Sequence, residues 1–192
     1  MIKRGSRRSP FTDTEEALRA AFRTGDQRLI CCAVDVAVHL YGISDAAIDA
    51  NINRTSLHRA FRIMNGPALS TMIKVLCVLG LRLTVVSKAR SSQRINDDQP
   101  QRHGRSLARA LTEAFRSCRV DTVTAALSLA LREQPNVSEI ARRTIRSRAA
   151  LYKAFSQPRD PRFFTVLSFV DALGLCFEVA RRECPRRPGT QQ

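Results

Sequence analysis

Apolar residues recur along the chain with two different periods, and the change between them marks a helix followed by a strand. Two runs of five apolar residues each follow helical spacing: Leu69, Met72, Ile73, Leu76, Leu79 and Phe163, Val166, Leu167, Val170, Leu173. The runs end at Gly80 and Gly174, where a left-handed residue commonly terminates a helix. Apolar and polar residues then alternate in Leu81–Val85 and in Leu175–Val179. Each segment therefore predicts a helix followed by a short, half-buried strand.

These helix–strand units belong to a longer internal repeat. Leu57–Phe61 reads Leu-His-Arg-Ala-Phe, and Leu151–Phe155 reads Leu-Tyr-Lys-Ala-Phe 94 residues later. The same offset relates Pro67 to Pro161, and the match continues upstream once one extra residue is allowed in the second copy. We therefore interpret the chain as a tandem duplication of one unit.

Two further helices are predicted near the start of each copy. Thr12 and Glu15 have the spacing of a capping box that opens the first helix. Asp26 and Asp121 are the predicted N-caps of the second helix in each copy. The predicted buried faces of these second helices hold Leu29, Ala33, Val36, Leu40 and Val123, Leu127, Ala130.

Between these helices and the helix–strand unit lies a segment that predicts two short helices joined by a tight turn. In Val137–Phe155, Ser138 and Ser147 are the predicted caps of the two helices. The residues with the spacing of a buried face are Ile140, Ala141, Leu151 and Phe155. Ile43–Phe61 follows the same plan. Each copy therefore contains a candidate helix-turn-helix.

The composition favours a basic, folded protein. Lys and Arg number 32 against 17 Asp and Glu, giving a formal net charge of +15, and 44% of the residues are hydrophobic. No stretch approaches the ~20 apolar residues of a membrane-spanning helix. The basic start, Met1–Pro10, is not followed by the apolar core of a secretory signal. We expect a cytosolic chain whose charge suits a nucleic acid.

The charge is arranged as DNA binding requires. A helix that enters the major groove needs polar side chains at its exposed N-terminal half, cations for phosphates and no carboxylate facing the backbone. Neither Ala50–Gly66 nor Ile140–Arg159 contains Asp or Glu, and both contain several arginines. Since these stretches lie at the same place in the two copies, we predict DNA contacts from both.

The second copy resembles a known family. Its motifs are Ser-x-x-Ala, Ser-Arg-x-x-Leu-Tyr-Lys-Ala-Phe, Pro-x-Phe-x-Thr-x-Leu and a helix ending in Leu-Gly-Leu. They are similar to the helix-turn-helix family of probable addiction module antidote proteins, relatives of HigA-like antitoxins and of Xre/Cro phage repressors. The first copy departs from the pattern at Ala46, Asn51 and His58.

The resemblance implies an all-α fold of two tandem helix-turn-helix (lambda-repressor-like) domains, each with a short C-terminal β-strand. Predicted boundaries are a basic tail at 1–10, domains at 11–87 and 105–182, a polar linker at 88–104 and a second basic tail at 183–192. The resemblance also implies autoregulatory binding of double-stranded DNA, often with neutralisation of a small RelE/HigB-like ribonuclease toxin.

Site residues follow from the resemblance by position. It implies base contacts from Asn53, Arg54, Thr55 and Ser56 and from Ser147, Arg148 and Ala149. It implies phosphate contacts from Arg59, Arg62, Arg146 and Lys153. A lone strand leaves backbone groups unpaired, so we expect each strand to pair with its counterpart and make the chain a fused pseudo-dimer.

Other functions stay open beside this one. The fold could serve as a protein-interaction module, an anti-activator or antitoxin that does not read DNA, and RNA binding is a third possibility.

An enzyme has little support, because His39, His58 and His103 lie in different elements and no phosphate-binding loop is present. No cofactor is expected. No metal site is expected either, and Cys31, Cys32, Cys77 and Cys176 are interpreted as small buried apolar residues.

Overall fold

The computed structural model describes residues 10–62, 66–88 and 98–182, with side chains in 13–62, 66–88 and 104–182. Within these residues, five helices and a strand follow one another twice. The first half contains α1 (Pro10–Thr24), α2 (Gln27–Tyr41), α3 (Ile43–Asp49), α4 (Arg54–Ala60), α5 (Leu69–Val78) and β1 (Leu81–Ser87). The second half contains α6 (Asp98–Arg116), α7 (Val120–Arg132), α8 (Val137–Arg143), α9 (Arg148–Ala154), α10 (Phe163–Ala172) and β2 (Leu175–Arg181).

Helices α5 and α10 form as their spacing predicts. The first four apolar residues of each run are buried, and the fifth, Leu79 or Leu173, is partly buried. Gly80 and Gly174 have φ angles of 72° and 73°. This left-handed conformation is strained for a residue with a Cβ atom, which explains why both helices end at a glycine.

The predicted helix starts are confirmed in part. Asp26 caps α2, where its Oδ1 accepts hydrogen bonds from the backbone N–H groups of Arg28 and Leu29 at 2.7 and 3.2 Å. The prediction for Asp121 is wrong. The N-cap of α7 is Arg119 and the helix begins at Val120, so the Asp121 carboxylate lies inside the first turn. There it still favours the positive end of the helix dipole.

Two other predicted starts are also displaced. The cap of α8 is Asn136, whose Oδ1 accepts from the Glu139 N–H at 3.2 Å, whereas Ser138 lies inside the helix. α1 begins at Pro10, so Thr12 lies inside α1 and does not precede it. α6 begins at Asp98, within the segment 88–104 that the sequence analysis assigned to a linker.

The predicted buried face of α2 is wrong for three of its four residues, and the fourth, Ala33, is partly buried. Leu29, Val36 and Leu40 are 52%, 51% and 60% exposed. The buried residues of this helix are Ile30, Cys31, Val34, Ala37 and Val38. Almost every residue from 29 to 38 is apolar, so periodicity alone allows more than one face, and the neighbouring α1 selects the face that is buried. In α7 the predicted residues Val123, Leu127 and Ala130 are buried.

No single helix among the described residues is long and apolar enough to cross a membrane. α2 and α3 reach that length and apolarity only when they are taken together, and they are bent by 97° at their junction. Both contribute buried side chains to the protein core, including Val34 and Ala46.

The strands β1 and β2 pair with each other in an antiparallel ladder, which confirms the expected pairing. The register runs from Leu81 opposite Arg181 to Ser87 opposite Leu175. At its centre Thr84 faces Glu178, and these residues are 94 positions apart, which is the offset of the predicted repeat. The ladder therefore has an approximate two-fold axis that relates the two halves.

Further backbone contacts obey the same symmetry. The Leu69 N–H donates to the carbonyl of Pro161 at 2.8 Å, and the equivalent Phe163 N–H donates to Pro67 at 2.9 Å. A second reciprocal pair lies at the ends of the ladder: Lys88 N to Gly174 O at 3.0 Å and Arg182 N to Gly80 O at 2.8 Å. Reciprocal contacts of this kind are the mark of a two-fold interface, which here lies within one chain.

Each strand packs against the first helix of the opposite half. α6 lies on β1, where the Thr112 hydroxyl accepts from the Val85 N–H at 2.9 Å and donates to the Val85 carbonyl at 3.1 Å. α1 lies on β2, and Arg19 Nε donates to the Val179 carbonyl at 3.4 Å. Buried residues from both halves form one continuous hydrophobic cluster. The two halves therefore share a core.

Because the core is shared, Phe177→Ala should destabilise the whole protein. Phe177 is fully buried, with its ring centroid 5.2 Å from that of Phe115 and 5.7 Å from that of Phe163. Its truncation should lower the free energy of unfolding by ~3–5 kcal/mol. Urea denaturation followed by circular dichroism measures this change.

The matched control is Phe164→Ala, because Phe164 is the neighbour of Phe163 on α10 and is 41% exposed. This variant should lose less than ~1 kcal/mol. Both variants should unfold in one cooperative transition. Two separate transitions, of which Phe177→Ala moves only one, would contradict the shared core.

Candidate DNA-binding interface

Two helix pairs, α3–α4 and α8–α9, are built in the same way. In the first, Asn51 has a φ angle of 49° and the Ile52 N–H donates to the Ala47 carbonyl at 2.9 Å. In the second, Ile145 has a φ angle of 53° and the Arg146 N–H donates to Ala141 at 2.9 Å. One left-handed residue thus turns the chain between the two helices in both halves.

The second helix of each pair begins with a capping side chain. Asn53 Oδ1 accepts from the N–H groups of Thr55 and Ser56 at 2.9 and 3.3 Å. Ser147 Oγ accepts from the Ala150 N–H at 3.1 Å, as predicted for a cap. Asn53 and Ser147 therefore stabilise the starts of α4 and α9. This capping role is separate from the base contacts that the resemblance implies for them.

Buried leucines hold α4 and α9 against their halves. Leu57 is 1% exposed and Leu151 is completely buried, so the opposite face of each helix is turned towards solvent. All of the predicted contact residues are exposed: Asn53, Arg54, Thr55, Ser56, Arg59, Arg62, Arg146, Ser147, Arg148, Ala149 and Lys153. The structure groups them in two surfaces, one per half.

Most of the cations on these surfaces have no internal partner. Among the described residues none forms an ion pair with Arg54, Arg59, Arg146, Arg148 or Lys153. Arg62 differs, because its Nε lies 3.9 Å from Asp35 Oδ2. Unpaired guanidinium groups keep all their donors for an external anion.

Two nearby arginines are engaged within the protein. Arg142 donates to both carboxylate oxygens of Glu139, at 2.7 and 2.9 Å, and this hydrogen bonding holds the pKa of Glu139 below its usual value. Arg143 Nη1 donates to the carbonyl of Ala172, at the end of α10, at 3.0 Å. The Arg143 contact ties α8 to α10, and both side chains are less free to contact a ligand than Arg148.

The side chains of His39 on α2 and His58 on α4 lie close together. The rings of His39 and His58 are 6.3 Å apart, and His39 Nδ1 lies 2.8 Å from the Asp35 carbonyl. The side chain of His103 lies outside the described residues. Within the described part of the chain, no group of His, Cys, Asp and Glu has the geometry of a metal site.

Ile145 is a feature that the sequence analysis missed. It is 93% exposed, although it is a large apolar residue, and its left-handed backbone is unusual for a β-branched side chain. A signal was present in the repeat, because Ile145 occupies the position of Asn51, a residue that tolerates this conformation.

Comparison with known proteins gives one result. Residues 103–181 match the model of a family described as probable addiction module antidote protein. The match covers most of α6 and all of α7–α10 and β2, and it spans less than half of the chain. No curated protein and no solved structure shows a significant match. The second half is thus similar to the antidote family.

The turn residues generate a prediction on stability. Ile145→Asn should raise the free energy of unfolding by ~1 kcal/mol, because Asn tolerates a left-handed backbone and a β-branched residue is strained there. The matched change in the first half, Asn51→Ile, should lower it by a similar amount. Chemical denaturation of both variants tests this pair, and a neutral result for either change would show that these turns store no strain.

Proposed function

We propose that the protein is a sequence-specific transcriptional regulator of the antitoxin type, which acts in the cytosol and binds double-stranded DNA as a fused pseudo-dimer. The observation that supports this most strongly is the pair of exposed, cationic helices α4 and α9, which occupy equivalent positions about the approximate two-fold axis. In this proposal each helix pair is a helix-turn-helix whose second helix enters the major groove.

The chemistry at the start of each helix suits base recognition. Arg54 and Arg148 occupy the first helical position of α4 and α9, and both are exposed. An arginine at such a position can donate two hydrogen bonds to O6 and N7 of a guanine. Arg59, Arg146 and Lys153 would then neutralise phosphates, which fixes the orientation of the protein on the duplex.

The shared core supports the pseudo-dimer part of the proposal. Single-copy helix-turn-helix proteins dimerise so that two helices reach successive turns of the major groove, ~34 Å apart. Here the strand ladder and the exchanged packing of α1 and α6 join the two halves without a second chain. DNA binding would therefore not depend on the concentration of a partner subunit.

The two halves should prefer different bases. Behind the common arginine, α4 offers Thr55 and Ser56, whereas α9 offers Ala149 and Ala150. Hydroxyl groups donate and accept hydrogen bonds, and alanine makes only apolar contacts such as those with the thymine methyl group. The operator should then be an imperfect inverted repeat, with a guanine common to both half-sites.

Toxin neutralisation is the second part of the antitoxin proposal. The similarity of residues 103–181 to the antidote family supports a partner such as a RelE/HigB-like toxin. A second observation in the first half favours a protein partner: Leu29, Val36 and Leu40 form an exposed apolar stripe on α2. The alternative function is a protein-interaction module that uses this stripe and does not read DNA.

Arginine variants test the DNA proposal. A duplex can be selected from a random-sequence library with the unmodified protein, and its affinity measured by fluorescence anisotropy at several salt concentrations. Arg54→Ala and Arg148→Ala should each weaken binding by roughly 10- to 100-fold, the loss expected for a bidentate base contact. Neither change should lower the melting temperature by more than a few degrees.

The matched control is Arg116→Ala, because Arg116 is paired with Glu113 at 3.2 Å on α6 and lies outside both helix pairs. It should bind like the unmodified protein. Failure of the library to yield any preferred duplex, together with co-purification of a toxin that Leu29→Glu or Val36→Glu abolishes, would favour the interaction module instead.

The pseudo-dimer predicts that one chain occupies one operator. Mass measurement of the complex with the selected duplex should give a ratio of one chain to one duplex. Footprinting should show protection over two unequal half-sites. A strictly palindromic site occupied by two chains would contradict the proposal and assign the repeat another purpose.

A further inference from the structure

Two thiols from opposite halves meet in the structure. Cys77 lies near the end of α5, and Cys118 lies in the turn between α6 and α7. Their Sγ atoms are 2.9 Å apart, with the Cys77 thiol donating to the Cys118 sulfur. The contact joins residues that are 41 positions apart, so a bond there would add a covalent cross-link between the two halves of the chain.

The approximate symmetry does not require this thiol pair. The equivalent positions on the other side of the two-fold axis are Asp171 and Gly25. Asp171 is ion-paired with Lys88, and Gly25 has a φ angle of 68° that resembles the 55° of Cys118. The fold therefore accepts a residue without a thiol at either place, and the pairing is a local property of one side of the molecule.

Small reagents have access to the pair. Both cysteines line an open surface pocket of about 350 Å³, together with Lys74, Asp49 and Arg182. Arg82 lines a smaller cavity beside both thiols, and its buried Nε has no hydrogen-bond partner among the described residues. Cations near a thiol favour the thiolate, which is the reactive form in disulfide exchange.

We propose that Cys77 and Cys118 are an oxidation site, at which exchange with a small-molecule disulfide such as oxidised glutathione forms an intramolecular disulfide bond. One sulfur attacks the glutathione disulfide and releases one reduced glutathione, leaving a mixed disulfide on the protein. The other sulfur attacks this bond and releases the second glutathione. The protein loses two protons and two electrons, and oxidised glutathione takes up both.

The surroundings of Cys77 have opposing effects on its thiol. Burial, followed by the hydrogen bond to Cys118, raises the pKa of the Cys77 thiol to about 12, although Arg182 acts in the opposite direction. Burial therefore works against the Cys77 thiolate, and the contact between the two sulfurs allows either thiol to resolve a mixed disulfide formed on the other. To form the bond the two sulfurs must approach from 2.9 Å to the ~2.05 Å of a disulfide.

The test uses the full-length reduced protein and oxidised glutathione as the probe. After incubation, free thiols are alkylated, and the digest is analysed by mass spectrometry. We expect the peptides that contain Cys77 and Cys118 to be joined, with the loss of two hydrogens. Because the bond closes a long loop between the halves, the melting temperature should rise by roughly 5–15 °C and return after reduction.

Variants distinguish this site from general oxidation. Cys77→Ala and Cys118→Gly should abolish the thermal shift, and glycine keeps the left-handed backbone available at position 118. Cys32→Ser is the matched control, because the predicted burial of Cys32 is wrong: this cysteine is exposed, and the variant should retain the shift. Alkylated Cys77 and Cys118 after oxidation, a lasting glutathione adduct on Cys118, or a shift that survives in Cys118→Gly would each overturn the proposal.

Discussion

The antiparallel pairing of β1 with β2 is the constraint on which the rest of the structure depends. Each half supplies one strand, and a strand without a neighbour leaves a row of backbone groups unpaired. A two-stranded ladder is itself marginally stable in water, so it needs apolar cover on one face. That cover comes from α1 and α6, each lying on the strand of the opposite half. Since each strand is covered by a helix of the opposite half as well as by α5 or α10 of its own half, the two halves share one core.

The sequence predicted correctly those helices and strands whose hydrophobic pattern is compatible with only one type of secondary structure. The change of period at Gly80 and Gly174 located two helices and two strands, because an α-helical face and an alternating strand have incompatible spacings. The buried face of α2 could not be predicted in this way, because its residues are apolar on nearly every side and only the packing of α1 selects among them. The caps of α7 and α8 failed for a related reason, since several polar residues stand close to each helix start.

The candidate DNA-binding surfaces could also be predicted only in part. Exposure of α4 and α9 follows from the spacing of Leu57 and Leu151, so the sequence could place the contact residues on the surface. Which arginines remain available could not be predicted, because their partners come from tertiary structure. Arg143 is held by a carbonyl of α10, whereas Arg148, which is five positions later, has no ion-pair partner in the described part of the chain. Local sequence is similar around both residues, and only the fold distinguishes them.

Symmetry in this protein is kept by the backbone and broken by side chains. The reciprocal hydrogen bonds at Pro67 and Pro161 use main-chain atoms, which do not change when a side chain is replaced. By contrast, Ser70 donates through its N–H to Asp160 at 3.0 Å, and the equivalent positions hold Phe164 and Gly66, which cannot form that contact. A homodimer must place every substitution on both sides of its axis. A single chain with two halves is free of that requirement, so one side can acquire a thiol pair or a different set of base contacts while the common backbone framework is retained.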